Sequence, residues 1–241
     1  MVNNHYVGTE LPMFLETKNF HRYYRRLFGK FVKGHVLEVG AGLGALTEQL
    51  LTCETERITV CEPDDRLAAD LVDRLGNQVH VIVGGIGDVP RSLGAFDTIL
   101  YVDVMEHIED DESEIAEAVL RLKDDGMLII GGPAHDWLYA SFDAAIGHYR
   151  RYNRRMIEKL IGTHVTLELK RFMYFDCVGL ILSLGNRWLT RQSAPSFRQL
   201  KFWNDFALPL SQRIDSLVNY RIGKSFVAIS SLTHNEFGKE I

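Results

Sequence analysis

Five segments of the chain run apolar without alternating, the pattern of strands buried on both faces of a sheet. They are HVLEVG (35–40), RITVCEP (57–63), VHVIVG (79–84), FDTILYVD (96–103) and GMLIIGGP (126–133). Helical periodicity separates them. LGALTEQLLT (43–52) follows the first strand. DDRLAADLVDRLG (64–76) follows the second and stops at a glycine. DDESEIAEAVLRLKDDG (110–126) follows the fourth, with Ile115, Val119 and Leu122 on one face. Strand–helix alternation of this kind predicts a doubly wound α/β sheet. Beyond 134 the rhythm changes. Two further strand candidates, HVTLELKRF (164–172) and SFVAISSLT (225–233), bracket a mostly helical insert at 174–222. Residues 10–31 read as one or two amphipathic helices ahead of the first strand. The expectation is a single domain over 1–241: a helical cap at 1–34, a core at 35–133, a decorated segment at 134–163 and the insert.

Composition narrows the class. The 241 residues are 46% hydrophobic and 24% charged, ordinary for a globular protein and unlike a disordered tail or a long coiled coil. Cys53, Cys61 and Cys177 are too few and too scattered for a disulfide framework or a zinc site, which fits a reducing, cytoplasmic setting. No apolar run approaches the roughly 20 residues of a membrane span, and the first residues lack the pattern of a secretion signal. The net charge of −5 conceals an asymmetry. Residues 144–201 hold eleven Lys and Arg against three acids, a local net of +8. Such a segment is either a solvated surface or a basic face for an anionic acceptor, a phosphate or a membrane surface.

Candidate chemistry starts where the first strand turns into a helix, at Glu38-Val39-Gly40-Ala41-Gly42-Leu43-Gly44-Ala45. Glycines there let the backbone approach a ligand, and a helix N-terminus offers unpaired N–H groups. Gly40, Gly42 and Ala45 match the dinucleotide fingerprint. Glu38 with Gly40, Gly42 and Gly44 equally matches the acidic-x-G-x-G-x-G loop that binds S-adenosylmethionine (SAM). Glu62, with Pro63 after it, closes the second strand, where a carboxylate can accept both ribose hydroxyls of an adenosine. That feature serves both ligands. Glu38 separates them: it suits the cationic amino group and sulfonium of SAM and has no use beside a pyrophosphate. Its plainer role is to cap local backbone N–H groups.

On these residues the chain resembles the class I SAM-dependent methyltransferases. Tyr101-Val102-Asp103-Val104-Met105-Glu106-His107-Ile108-Glu109-Asp110-Asp111 is similar to the N-V-L-E-H-I-E-D stretch of bacterial members. Gly147-His148-Tyr149-Arg150-Arg151-Tyr152 is similar to the G-H-x-R-R-Y stretch of one subgroup. Lys18 to Tyr23 resembles that subgroup's first helix, and Gly223-Lys224-Ser225 its G-K-S before the last strand. The resemblance implies a Rossmann-like, seven-stranded, mostly parallel sheet with an antiparallel last strand. It also implies SAM as cofactor, S-adenosylhomocysteine (SAH) as product, and cofactor contacts from Glu38, Gly40, Ala41, Gly42, Gly44, Glu62, Pro63, Asp88 and Asp103. Two positions depart from the family. The usual acid after the third strand falls on Gly85, so Asp88 or a backbone carbonyl takes its place. The usual Asn after the fourth strand is Asp103.

The acceptor must then lie beside the segments after Asp103 and after Pro133, since ligands of open α/β sheets sit at strand carboxyl ends. The second segment carries His135, Asp136, Trp137, Tyr139, Phe142, Asp143 and the His148–Tyr152 run. His148 is the expected base or acceptor orienter, because histidine titrates near neutrality, with Tyr149 and Tyr152 beside it. A structural histidine tying the loop to the sheet is the alternative. His107 reads as structural or cofactor-lining. His135, Asp143 and His148 match no metal-binding spacing, and no metal is expected. Arg150, Arg151, Arg154 and Arg155 are candidates to face an anionic acceptor, although adjacent arginines cannot all point one way. Phe175, Trp188 and Trp203 read as core or dimer-interface aromatics. Cys177–Gly185, flanked by Arg187 and Trp188, could rest on a membrane surface.

The expected function is methyl transfer to a small-molecule or glycan-type acceptor at oxygen, in a biosynthetic tailoring step. The rivals are transfer to nitrogen or carbon of a small molecule or peptide, an NAD(P)-dependent oxidoreductase, and a non-catalytic SAM-binding partner subunit. A nucleic-acid acceptor is disfavoured by the overall charge and by the absence of a basic-aromatic module. A homodimer is left open.

Overall fold

The computed structural model describes residues 11–164, 166–189 and 196–233. Seven strands form one sheet: β1 (Lys33–Val39), β2 (Glu54–Glu62), β3 (His80–Val83), β4 (Phe96–Val102), β5 (Leu122–Pro133), β6 (Leu167–Phe175) and β7 (Ser225–Leu232). Their order is β3-β2-β1-β4-β5-β7-β6. All neighbouring pairs are parallel except those of β7, which runs antiparallel to β5 and β6. The expected doubly wound sheet with an antiparallel last strand is therefore present. Strand order reverses between β1 and β4, which opens a crevice at their carboxyl ends.

Both faces of the sheet are covered, which explains why the strands do not alternate. Val36, Leu100, Ile129, Val227 and Ile229 face one layer. That layer contains α2 (Lys18–Phe28), α3 (Thr47–Leu50), α4 (Asp65–Leu75) and part of the insert. Leu37, Ile99, Tyr101, Leu128, Ile130 and Ala228 face the other, with α5 (Asp111–Val119) and α7 (Arg154–Gly162). Met13 and Phe14 of the short helix α1 (Leu11–Leu15) pack against the first layer, and the short helix α6 (Ser141–Ala145) follows β5. Helix starts are capped as their residues predict. Asp64 accepts from the N–H groups of Arg66 and Leu67, Asp110 from Ser113, and Asn153 from Met156.

Two helices are shorter than their periodicity predicts. The 43–52 segment is helical only as α3, because Gly40, Gly42 and Gly44 all take positive φ and the chain cannot enter a helix until it has passed them. The 110–126 segment ends as a helix at Val119. Leu122 already pairs with Phe96 in β5, and Asp125 at φ 60° kinks the new strand before Gly126. β6 lies three residues later than expected.

The insert comprises α8 (Cys177–Leu189), α9 (Phe197–Phe202), a π-helical turn at Trp203–Ala207 and α10 (Leu208–Leu217). Buried polar groups tie it down. Asp176 accepts from Trp203 Nε1 and Ser211 Oγ, both at 2.7 Å. Asp215 accepts from Tyr23 Oη and the Asp176 N–H, both at 2.7 Å. Phe175 and Trp203 pack on Phe20 in the core, as their sequence context suggests. The side chain of Trp188 lies outside the described residues. Among the described residues, no helix is long and apolar enough to cross a membrane.

Candidate functional site

The crevice has one wall made mainly of backbone. β1 ends at Glu38 and Val39, and the chain then folds through three left-handed glycines, with Gly40 and Ala41 N–H donating to the Cys61 carbonyl. A side chain at Gly40 would strike Val104, and one at Gly44 would strike Leu71. One at Gly42 would meet nothing within 4 Å. Gly40 and Gly44 are thus required by packing, and Gly42 borders open space.

Two buried carboxylates stand beside this loop. Glu38 accepts from the Thr47 hydroxyl at 2.7 Å. Burial pushes its carboxyl up to about 8, nearby Glu62 adds to the push, and the Thr47 bond opposes it. Glu62 accepts from the Gly42 N–H at 2.7 Å and the Asp64 N–H at 3.0 Å. Burial raises its carboxyl too, against those two bonds. Each carboxylate oxygen has a second lone pair, so Glu62 can brace the loop and still accept from a ligand. Pro63 is exposed next to it. Asp88 is exposed and turns back to accept from the Gly85 N–H at 3.0 Å, while the space above Gly85 is open.

The opposite wall is made of side chains. Asp103 ends β4 at φ 55° and accepts from the buried Tyr24 hydroxyl at 3.2 Å. It is exposed to solvent, and its neighbours partly desolvate the carboxyl. That desolvation pushes its carboxyl up to about 6, against the Tyr24 bond and the charges of His148 and Lys224. Glu106 is 1% exposed, and its Oε2 has no hydrogen-bond partner. Burial, with the charge of Asp103 added, holds its carboxyl well above the usual range. His148 places Nδ1 3.1 Å from Asp143 Oδ1 and Nε2 4.0 Å from Glu106 Oε1. The His107 and His148 rings meet edge to face at 4.5 Å between centroids. Lys224 caps this end, its Nζ 4.2 Å from the Trp203 ring centroid and 3.7 Å from Asp176 Oδ2. Burial lowers its ammonium, and Asp176 opposes that.

The loop that carries His148 is rigidly held. Asp143 is 1% exposed, and Arg151 grips both its oxygens at 2.9 and 3.1 Å. Tyr139 donates its hydroxyl to the His148 carbonyl, and the Tyr149 N–H donates to the Glu106 carbonyl. Several of the remaining candidates in this segment are engaged by other groups. Tyr152 is buried, with its hydroxyl on the Met105 carbonyl and Asp111. Tyr149 is exposed. Arg150 pairs with Asp111, Arg151 with Asp143 and Arg154 with Glu158, so most of the local positive charge is locked in ion pairs. His135 bonds the Gly223 carbonyl and stacks on Tyr174.

Sequence reasoning missed Tyr24, Lys224 as a crevice residue, the unpartnered Oε2 of Glu106, and the Asp143–Arg151 brace. Tyr24 adjoins the Lys18–Tyr23 motif, and Lys224 lies within Gly223–Ser225, so motifs marked their neighbourhoods without marking their direction.

Comparisons with known proteins agree with this geometry. Residues 37–130 match the methyltransferase domain family. Over 61 residues the chain is 43% identical to a probable ribosomal RNA small subunit methyltransferase A of Natronomonas pharaonis, a stretch that is 23% of this chain and 22% of that protein. A complex of the Haloferax volcanii Trm112 methyltransferase activator with a methyltransferase contains a similar chain, with TM-score 0.67, 13% identity, and 94% of this chain and 95% of that one covered. A SAM-dependent methyltransferase from Clostridium acetobutylicum has TM-score 0.55 at 10% identity, covering 91% and 92%. The plantazolicin methyltransferase BpumL bound to SAH has TM-score 0.54 at 14% identity, covering 94% and 86%. The open cradle above Gly42 and the acids at the ends of β1 and β2 fit SAM. With the matched domain and the sheet order, they give this chain a methyltransferase domain over residues 37–130 on the fold of SAM-dependent methyltransferases, which supports SAM as cofactor and SAH as product.

Proposed function

We propose that the chain methylates an oxygen of a small-molecule or glycan-type acceptor in a biosynthetic tailoring step. The observation that carries this reading is the Asp143-braced His148, directed toward buried Glu106 on the wall opposite the glycine loop. When bound, SAM supplies a methyl group on a positively charged sulfur. Glu38, Glu62, the Gly40–Gly44 loop, Asp88 and Asp103 are the residues that would hold it.

This chain's own contribution follows from its geometry. Glu62 fixes the loop through the Gly42 N–H. Glu38 holds its proton when the site is empty and yields it to a cationic partner, because a positive charge stabilises the carboxylate. Asp103, anchored by Tyr24, presents negative charge to the crevice. His148 cannot swing, since Asp143 and Tyr139 fix its ring and its backbone. It therefore either orients an acceptor hydroxyl or takes its proton. Desolvated walls favour attack by excluding water.

The test is direct. SAH should raise the melting temperature and NAD(P) should not; ligand at 100 times its Kd adds about 2.7 kcal/mol. Methyl-labelled SAM should then label hydroxylated acceptors and spare matched deoxy analogues. Labelling confined to amines or to carbon would overturn the oxygen assignment.

A further inference from the structure

We propose that Glu106, His107 and His148 form a binding site for a first-row divalent metal ion on the acceptor wall. One ligand atom from each of the three residues lies within 4.8 Å of the others. That is a separation a metal closes by drawing nitrogens and oxygen to bonds of about 2.0–2.2 Å. Two imidazoles and one carboxylate are a donor set suited to zinc, iron or a neighbouring metal, and they leave coordination positions open.

Three further observations point to a ligand. The first is Glu106 itself. Its residue is 1% exposed and its Oε2 has no hydrogen-bond partner, while its Oε1 is the oxygen nearest His148; an unsatisfied buried carboxyl oxygen is costly, and a cation held by both oxygens removes that cost. Gly132 on β5 leaves the room: a Cβ there would sit 3.0 Å from Glu106 Oε2. The second is the support behind His148. Metal-bound histidines usually donate the remote ring N–H to a carboxylate, which fixes the tautomer. His148 Nδ1 lies 3.1 Å from Asp143, which Arg151 and the Ala140 N–H hold in turn. That arrangement leaves the Nε2 lone pair toward Glu106, at 4.0 Å, too long for a hydrogen bond. The third is His107. The Gly147 backbone holds one side of its ring, and the ring meets that of His148 edge to face at 4.5 Å between centroids.

The proposal rests on the methyl-transfer reading for its role. An acceptor hydroxyl on an open coordination position would be both positioned and made more acidic. His148 then orients the acceptor through the ion and does not itself take the proton.

The test uses the full chain, stripped with a chelator and dialysed. Calorimetric titration with Zn²⁺ and with Mn²⁺ should find one equivalent bound, and Co²⁺ should give the visible spectrum of a nitrogen- and oxygen-ligated site. Glu106→Gln and His148→Asn should each weaken binding at least about 100-fold. Asp143→Asn, acting through His148, should weaken it about 10–100-fold. His135→Ala, outside the cluster, should leave it unchanged. Failure of the wild-type chain to bind any of the three ions overturns the proposal whether or not the variants fold, as does binding insensitive to Glu106→Gln and His148→Asn. SAH titrated into the same samples separates the two readings. SAH bound without metal removes the ion alone, and metal bound without SAH removes the methyltransferase site.

Discussion

The two walls of the crevice are built in opposite ways. The wall at β1 and β2 is mostly main chain: three positive-φ glycines, a carboxylate clamped on the Gly42 N–H, and a helix that starts only after the turn. It comes from one short stretch plus Glu62. The other wall is mostly side chain, with Tyr24, Asp103, Glu106, His148 and Lys224 brought together from four stretches of chain. Backbone cradles depend on conformations few residues adopt, so they leave a strict sequence signature. Side-chain walls leave a weak one, because many residue sets can line a crevice. Under the proposed function the first half would hold a fixed cofactor, and the second would vary with its acceptor.

The sharpest break of this contrast is Gly42→Val. A β-branched residue at φ 55° fills the open cradle, so SAH binding should disappear. Backbone strain should lower stability by about 1–3 kcal/mol. Calorimetry that still shows tight SAH binding would mean the ligand is not in this loop. His148→Asn attacks the other wall. Turnover should fall roughly 10²-fold or more while SAH binding stays within twofold, since the ring contacts Asp143 and His107 and not the loop. If affinity and turnover fall together, the two walls are not separable. Glu62→Ala should reduce SAH affinity at least about tenfold, through loss of charged hydrogen bonds worth about 1.5–3 kcal/mol each.

A smaller effect concerns pH. Glu38 titrates near 8 in the fold and near 4.5 when unfolded, so across that window the folded state binds the extra proton. Its contribution to stability is therefore lost as pH rises through about 8. Glu38→Gln should remove that slope. SAM binding near pH 7 should release close to one proton, a release that vanishes in Glu38→Gln and above about pH 9. Calorimetry in buffers of different ionisation heat reads this directly. Smallest of all is Tyr152→Phe. It loses a buried hydroxyl that bonds Met105 and Asp111, which lowers stability by about 1 kcal/mol and leaves SAH binding and turnover in place. A large loss of turnover would restore Tyr152 to the chemistry.

The same contrast explains what the chain's residues disclose before folding. The sheet was legible because the carboxyl-terminal parts of β1, β2, β4 and β5 are buried on both faces and are mostly apolar there. The glycine loop was legible because Gly40 and Gly44 admit no side chain. What periodicity overestimated were helix lengths, since Gly44 and Asp125 impose local backbone geometry that an apolar repeat does not register. On the side-chain wall the sequence marks His148 but not its partners. Asp143 and Arg151 look like surface charges until the loop folds them together, and Glu106 looks like a helix-start acid until burial isolates it. Arg150 likewise looks available for an anion but is bound to Asp111.

The anchoring of α2 has a consequence for how the molecule assembles. Asn19 bonds a group 185 positions further along the chain, and Tyr23 one 192 positions further. Such contacts stabilise only after a long loop has closed. At about 5–20 residues per second of synthesis, α2 waits on the order of ten seconds or more for its partners. In that interval Phe20, Tyr24, Leu27 and Phe28 present an apolar stripe with nothing from the insert to cover it. β1 to β4 and the glycine loop are complete far earlier. Tyr24 reaches Asp103 only when α2 has docked, so a nascent chain acquires its glycine loop first and the side-chain wall of the crevice last.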